Sequence, residues 1–182
     1  MLTSPRVTLR PLTPQDYPRL LEFKNDIELA ALGSSVPPRP MSLAELAERF
    51  DAFTRDLDQS VFAIEADGTF IGQCGLFNRN LHDGTAELGI GIGARSHLGQ
   101  GYGRDAIGLL LEYGFQVQNI RRIWLGVLAD NERAVRCYRS VGFVEEGRLR
   151  EHVWFDGRYV DELHMGLLRS EWRARATGTV LG

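Results

Sequence analysis

One carboxylate followed by three side-chain-free positions is the first chemical signal in this chain. Residues 86–93 read AELGIGIG. In an extended strand, Ala86, Leu88, Ile90 and Ile92 share one apolar face, while Glu87, Gly89, Gly91 and Gly93 share the other. Such a strand either lets another molecule lie against bare backbone or packs closely on a helix. Residues 98–104, LGQGYGR, follow almost at once. Glycines at 99, 101 and 103 let several N–H groups turn the same way at the start of a helix, where the helix dipole favours an anion. The segment is not a P-loop, because no Gly-Lys-Ser/Thr follows. It is a poor dinucleotide fingerprint, because position 104 is Arg and no early strand precedes it. The expectation is a phosphate cradle built from the amides of Leu98, Gly99, Gln100, Gly101, Tyr102, Gly103 and Arg104.

Particular elements must hold these residues. Strand 85–93, the glycine loop, a helix over about 103–118 and a strand at 122–128 form a strand–helix–strand crossover. The two strands are therefore expected to be parallel and the connection right-handed. The helix carries Ile107, Leu110, Leu111 and Phe115 as an i, i+3, i+4, i+8 stripe. Around this unit the pattern is antiparallel. Asp67-Gly68 joins strands 60–66 and 69–78, Asp83-Gly84 turns the chain into 85–93, and Asp156-Gly157 joins 149–155 to 158–168. A strand at 6–11, a helix from Pro14 to about Asn25 and a helix from Ser42 to about Leu57 come earlier, with Glu45 placed for a capping box. The stretch 33–40, GSSVPPRP, reads as a loop. Asp130 or Asn131 caps a short helix ending at Gly142. The result is an α/β (α+β) fold: a mixed, mostly antiparallel sheet of six to seven strands, helices on both faces, and a splayed parallel junction able to hold a ligand. The chain is expected to be one domain, 1–182, with a frayed tail after about 172.

The run GQGYGRDAIGLLLEYGF, the strand after it and ADNERAVRCYRSVGF together resemble the GCN5-related N-acetyltransferase (GNAT) superfamily. The nearest branch is that of the ribosomal-protein N-terminal acetyltransferases and spermidine N-acetyltransferases. The resemblance runs from TLRPLTPQD to DGRYVDELHMGLL, nearly the whole chain. The loop pattern matches at Gly101 and Gly103, while Leu98 stands where Arg or Gln is usual. The resemblance implies that the anion is the pyrophosphate of acetyl-CoA and that the backbone of Ile90, Gly91 and Ile92 pairs with the pantetheine amides. The thioester would then lie between strands 85–93 and 122–128. Asn131 matches a pantetheine-contacting Asn and also suits a helix N-cap; both roles can hold. Tyr138 would by spacing alone be a core aromatic beside Ala134 and Val141; the resemblance makes it the acid that protonates the departing thiolate. Cys137 reads as a buried thiol.

The implied reaction passes from acetyl-CoA to a primary amine by direct attack through a tetrahedral intermediate. An aliphatic amine with a pKa near about 10.4 is almost wholly protonated at neutral pH, so its proton must be accepted. Glu87 faces the same side as the glycines and is the candidate base, directly or through water. A strand N–H near Ile90 would stabilise the oxyanion. His152, Trp154, Tyr159 and Asp161 either line the acceptor pocket or are surface strand residues. The acceptor classes are a polyamine, a protein N-terminus, an aminoglycoside-like drug or an amino-acid-like metabolite. A non-catalytic acyl-CoA-binding sensor or partner module would share the loop but need neither Glu87 nor Tyr138. A nucleotide hydrolase lacks its Lys and its acidic metal pair.

Composition narrows the rest. The 182 residues are 43% hydrophobic and 25% charged, which suits a soluble domain with one core. Net charge is −3, and every basic residue except Lys24 is Arg, which gives no support for nucleic-acid or membrane-surface binding. Cys74 and Cys137 cannot make a disulfide scaffold, and four scattered His show no metal-ligand spacing. The start carries no secretory pattern, so a cytoplasmic protein is expected. A homodimer is common in the resembled branch.

Overall fold

A computed structural model describes residues 1–33, 37–56 and 58–176. Its single sheet has eight strands: β1 (Leu2–Thr3), β2 (Thr8–Pro11), β3 (Ser60–Ala66), β4 (Thr69–Asn80), β5 (Thr85–Ile92), β6 (Arg122–Leu128), β7 (Val144–Phe155) and β8 (Arg158–Leu168). They lie in the order β1-β2-β3-β4-β5-β6-β8-β7. All neighbours are antiparallel except β5 and β6. Both Asp-Gly hairpins form as expected. Asp67 and Gly68, like Asp156 and Gly157, have positive φ at both turn residues, the geometry whose twist matches the flanking strands.

Helices cover the two faces unequally. α4 (Tyr102–Glu112) and α5 (Glu132–Val141) lie on the face carrying Ala86, Leu88, Ile123, Leu125 and Met165. α1 (Tyr17–Asn25) and α3 (Leu43–Arg55) bury Leu20, Leu46 and Phe50 with Ala63 and Phe70 on the opposite face, over the first strands only. Among the described residues no helix packs on that second face across β6 and β8. The apolar stripe of α4 is buried as its spacing predicted, at Ile107, Leu110, Leu111 and Phe115. Arg10 clamps the start of α1 by pairing with buried Asp16 at 2.8 Å and with Glu65 at 2.7 Å.

Several expectations need correction. The eighth strand, β1, has two residues, too few to show alternation. β7 begins at Val144, five residues earlier than expected. It is an edge strand exposed along most of its length, so its sequence carries no apolar alternation to read. α4 stops at Glu112, and residues Tyr113–Val117 make a single π turn. A short helix, α2 (Ile27–Ala31), follows α1. Ser42 Oγ does accept from the Glu45 amide at 3.2 Å, but the Glu45 carboxylate pairs with Arg39 and closes no capping box. The chain is not frayed directly after Trp172. α6 (Arg169–Ala176) continues, with the Trp172 ring 5.4 Å from Phe115. Residues 34–36 of the expected loop, residue 57 and the tail from 177 lie outside the described residues.

Candidate active site

The parallel junction is short. β5 and β6 pair only at Thr85↔Arg122, Ala86↔Ile123 and Glu87↔Trp124. Each then follows its outer neighbour, β5 along β4 to Gly72↔Ile92 and β6 along β8 to Leu128↔Glu162. The two strands therefore separate into a wedge that opens toward the glycine loop. Packing drives the end of β5 outward. The Gly93 and Ala94 amides share the Ile71 carbonyl, at 2.9 and 3.1 Å. The space a Gly93 side chain would fill is taken by the Phe23 ring, and a Cβ on Gly89 would stand 2.9 Å from Phe77. Two of the three glycines on this face thus admit aromatic rings. Only Gly91 looks onto open space. The strand's two open readings thus divide by position: Gly89 and Gly93 serve close packing, and Gly91 leaves bare backbone.

The loop after β5 turns through Gly99 (φ 74°) and Gly101 (φ 90°), which sits at the N-cap of α4. A left-handed N-cap suits glycine because other residues would meet their own carbonyl. The Leu98 amide is already used, donating to the Arg95 carbonyl at 3.3 Å. The amides of 99–104 donate to no described group, so an anion here would meet a row of unengaged donors at a helix start. Gly103 keeps ordinary backbone, and a Cβ there would stand 3.9 Å from Ile92, an ordinary contact. Arg95 anchors the front of the loop by two hydrogen bonds to Asp26, at 2.8 and 2.9 Å. A cavity of about 530 Å³ adjoins the loop across α4, lined in part by Arg6, Arg104, Asp105 and Gly108.

α5 starts beside the wedge. Asn131 caps it, accepting from the Ala134 amide at 3.2 Å and donating through Nδ2 to the Leu32 carbonyl at 3.1 Å. The cap reading therefore holds, and the same side chain ties the end of α2 to the start of α5. Tyr138 is buried with its ring 6.0 Å from Phe143. Its hydroxyl has no hydrogen-bond partner among the described residues. Burial pushes its pKa well above the usual tyrosine value, so the group keeps its proton. Cys137 is half-buried, not buried, and burial raises its thiol as well, which argues against a poised thiolate.

On the uncovered face, Glu87 accepts from Asn78 Nδ2 at 2.6 Å. Asn78 has φ 48° at a register shift in β4, so a bulge aims its amide at the carboxylate. Trp124 stacks on His164, with centroids 6.0 Å apart. Buried Glu162 lies 3.4 Å from His164 Nε2 and 3.7 Å from His152 Nε2. Its carboxylate fills the room left by Gly126, where a Cβ would stand 2.8 Å from Oε1. Glu87 stands opposite Trp124, and Glu162 and His164 lie on the same face of the sheet, so two carboxylates and two rings mark an acidic patch beside the wedge. Of the hairpin candidates only His152 reaches this patch. Trp154 and Tyr159 pack on each other in solvent, and Asp161 is held by Arg148 and the Glu151 amide. Asn78, Glu162, Trp124 and His164 escaped the sequence reading, and only the Asn preference for positive φ offered a signal for one of them. No metal-binding group of His, Cys, Asp or Glu occurs among the described residues, and no described helix is long and apolar enough to cross a membrane.

Comparison with known proteins bears on this arrangement. Residues 6–144 match the acetyltransferase (GNAT) domain family. Spermidine N(1)-acetyltransferase of Vibrio cholerae is 33% identical over 172 residues, covering 94% of this chain and 98% of that protein. The putative ribosomal N-acetyltransferase YdaF of Bacillus subtilis is 28% identical, covering 91% and 93%. The crystal structure of spermidine N-acetyltransferase from Vibrio cholerae in complex with CoA and spermine superimposes with a TM-score of 0.87. That pair is 32% identical and covers 93% of this chain and 99% of the other.

Proposed function

The chain belongs to the GNAT acetyltransferase family and is an acetyl-CoA-dependent N-acetyltransferase, and from that premise we propose that its acceptor is a polyamine. The observation that carries this choice is that Glu87 and buried Glu162 share one face of the sheet beside the wedge. Carboxylates spaced along a sheet face suit a chain of ammonium groups, whereas a peptide would need polar partners for its own backbone. The similar Vibrio cholerae enzyme was crystallised with CoA and spermine, which supports the same class.

The proposed chemistry assigns a role to each group. The amides of 99–104 hold the pyrophosphate of acetyl-CoA, and the backbone of Ile90, Gly91 and Ile92 holds the pantetheine in the wedge. Asn131 contributes through the remaining capacity of its amide. Glu87, oriented by Asn78, takes the proton of the attacking ammonium directly or through one water. The amine nitrogen then bonds to the thioester carbonyl carbon while a strand N–H near Ile90 steadies the oxyanion. When the C–S bond breaks, Tyr138 gives its proton to the leaving sulfur, and the second proton shed by the former amine nitrogen restores the tyrosine, directly or through water. Holding amine and thioester together supplies much of the remaining acceleration.

A single domain fits a family match that spans most of a continuous sheet. A cytoplasmic setting fits two free thiols. A homodimer would use the exposed edge β7 with its Trp154–Tyr159 pair, and light scattering reads its mass. Thiol release measured across spermidine, spermine, N-terminal peptides, amino acids and aminoglycosides tests the acceptor. Polyamines should give the highest kcat/KM; turnover confined to peptides would refute the polyamine reading.

A further inference from the structure

We infer that Arg6, on the segment between β1 and β2, orients and electrostatically balances the glycine loop, and is thereby a positioning residue for acetyl-CoA. The inference rests on the proposal that amides 99–104 hold the pyrophosphate. Leu98 gives the loop no charge, and Arg6 reaches it from 94 positions away in sequence. Its Nη1 donates to the Gln100 carbonyl at 3.0 Å. A trans peptide points its C=O and N–H in opposite directions, so fixing that carbonyl toward Arg6 turns the Gly101 N–H away from it. Nε and Nη2 bind Asp105 Oδ2 at 2.8 and 2.6 Å. The guanidinium lies 5.1 Å from the Tyr102 ring centroid, and a Cβ on Gly101 would stand 2.8 Å from Nη2.

The Asp105 contact has an electrostatic purpose. Asp105 lies in the first turn of α4, where a carboxylate stabilises the helix but repels an incoming phosphate. Arg6 cancels that charge. It is mounted on a firm base: the Ser4 amide donates to the Val7 carbonyl at 2.8 Å, the Val7 amide donates to Ser4 Oγ at 3.1 Å, and Val7 is in the core. The ion pair itself is half-exposed, with side chains 49% and 28% accessible, so its contribution to folding is small. Its effect therefore falls on the ligand.

The test is titration of CoA and steady-state kinetics on Arg6→Gln, Arg6→Lys, Asp105→Asn and Arg6→Gln/Asp105→Asn. Arg6→Gln should raise the Kd of CoA and the KM of acetyl-CoA about tenfold, within the range for one charge at a helix N-terminus, with the loss on KM and not on kcat. Arg6→Lys keeps the charge but not the fork and should fall between. The double variant should bind CoA more tightly than Arg6→Gln alone, and salt at about 0.5 M should shrink the Arg6→Gln deficit. Circular dichroism verifies the fold of each variant. Wild-type affinity in Arg6→Gln, or a double variant no better than the single one, overturns the inference. Gly101→Val separates the two layers. If it loses CoA while Arg6→Gln keeps it, only the role of Arg6 falls; if it binds CoA normally, the cradle and the role of Arg6 fall together.

Discussion

Tyr138→Phe is the sharpest probe of the chemical step. The hydroxyl has no hydrogen-bond partner among the described residues, and the ring packs on Phe143 within the main core. Removing one oxygen therefore breaks no described bond and opens no large cavity, so stability should change by less than about 0.5 kcal/mol. Catalysis should respond differently. A positioned general acid is worth roughly 10²–10⁴-fold, and a thiol pKa near about 8.5 makes the sulfur a fair leaving group, which favours the low end. A hundredfold loss corresponds to about 2.7 kcal/mol of transition-state stabilisation. The raised pKa fixes the pH behaviour. The acid form persists above the ordinary tyrosine value of about 10, so Tyr138 imposes no falling limb on kcat below that pH. Single-turnover quenched flow with saturating acetyl-CoA and the best acceptor measures the step without interference from product release. The expected result is a rate about 10²-fold lower with CoA affinity unchanged. A rate within twofold of wild type would refute the argument and return Tyr138 to a packing role.

For Glu87→Gln, the loss in kcat/KM should be greatest at neutral pH and partly recovered near pH 10, where more of the amine is already deprotonated; a loss that does not vary with pH would mean that Glu87 only positions the acceptor's charge. Gly93→Ala drives a methyl into the Phe23 ring and should destabilise by about 1–3 kcal/mol, whereas Gly91→Ala meets open space and should keep the fold while raising KM for the acceptor; thermal melts with equal midpoints would contradict the packing account. Asp16→Asn should cost about 3 kcal/mol at pH 7, because a largely buried pair with Arg10 is broken. Arg10 holds the Asp16 pKa below its ordinary value, so this stability is present above about pH 4 and is lost as pH falls through the lower folded-state value. Urea melts of wild type and variant should therefore converge toward pH 2, and a constant gap would contradict the linkage.

Local chemistry was readable in the sequence and distant encounters were not. Asp67-Gly68 and Asp156-Gly157 announce their hairpins because two adjacent residues determine the turn. The stripe on α4 is periodic, and the crossover rule makes β5 and β6 parallel. The glycines clustered before a helix announced a tight loop, which turns through left-handed Gly99 and Gly101. Their individual causes did not follow, because the rings that occupy the space at Gly89 and Gly93 come from Phe77 and Phe23, which no pattern links to them. Glu162 lies in a β8 segment whose apolar neighbours hide its burial, and Asn78 becomes relevant only through a bulge. α2 is too short for a period to show.

The wedge between β5 and β6 leaves two strand edges without each other in the middle of a sheet, a place where most proteins tolerate no open edge. In the proposed binding mode a pantetheine chain would lie there as a substitute strand, completing the sheet. Anything that binds only the folded form stabilises it by mass action, about 2.7 kcal/mol when the ligand stands at a hundred times its Kd. In the proposed binding mode, CoA would therefore protect the protein against unfolding as well as serve its reaction.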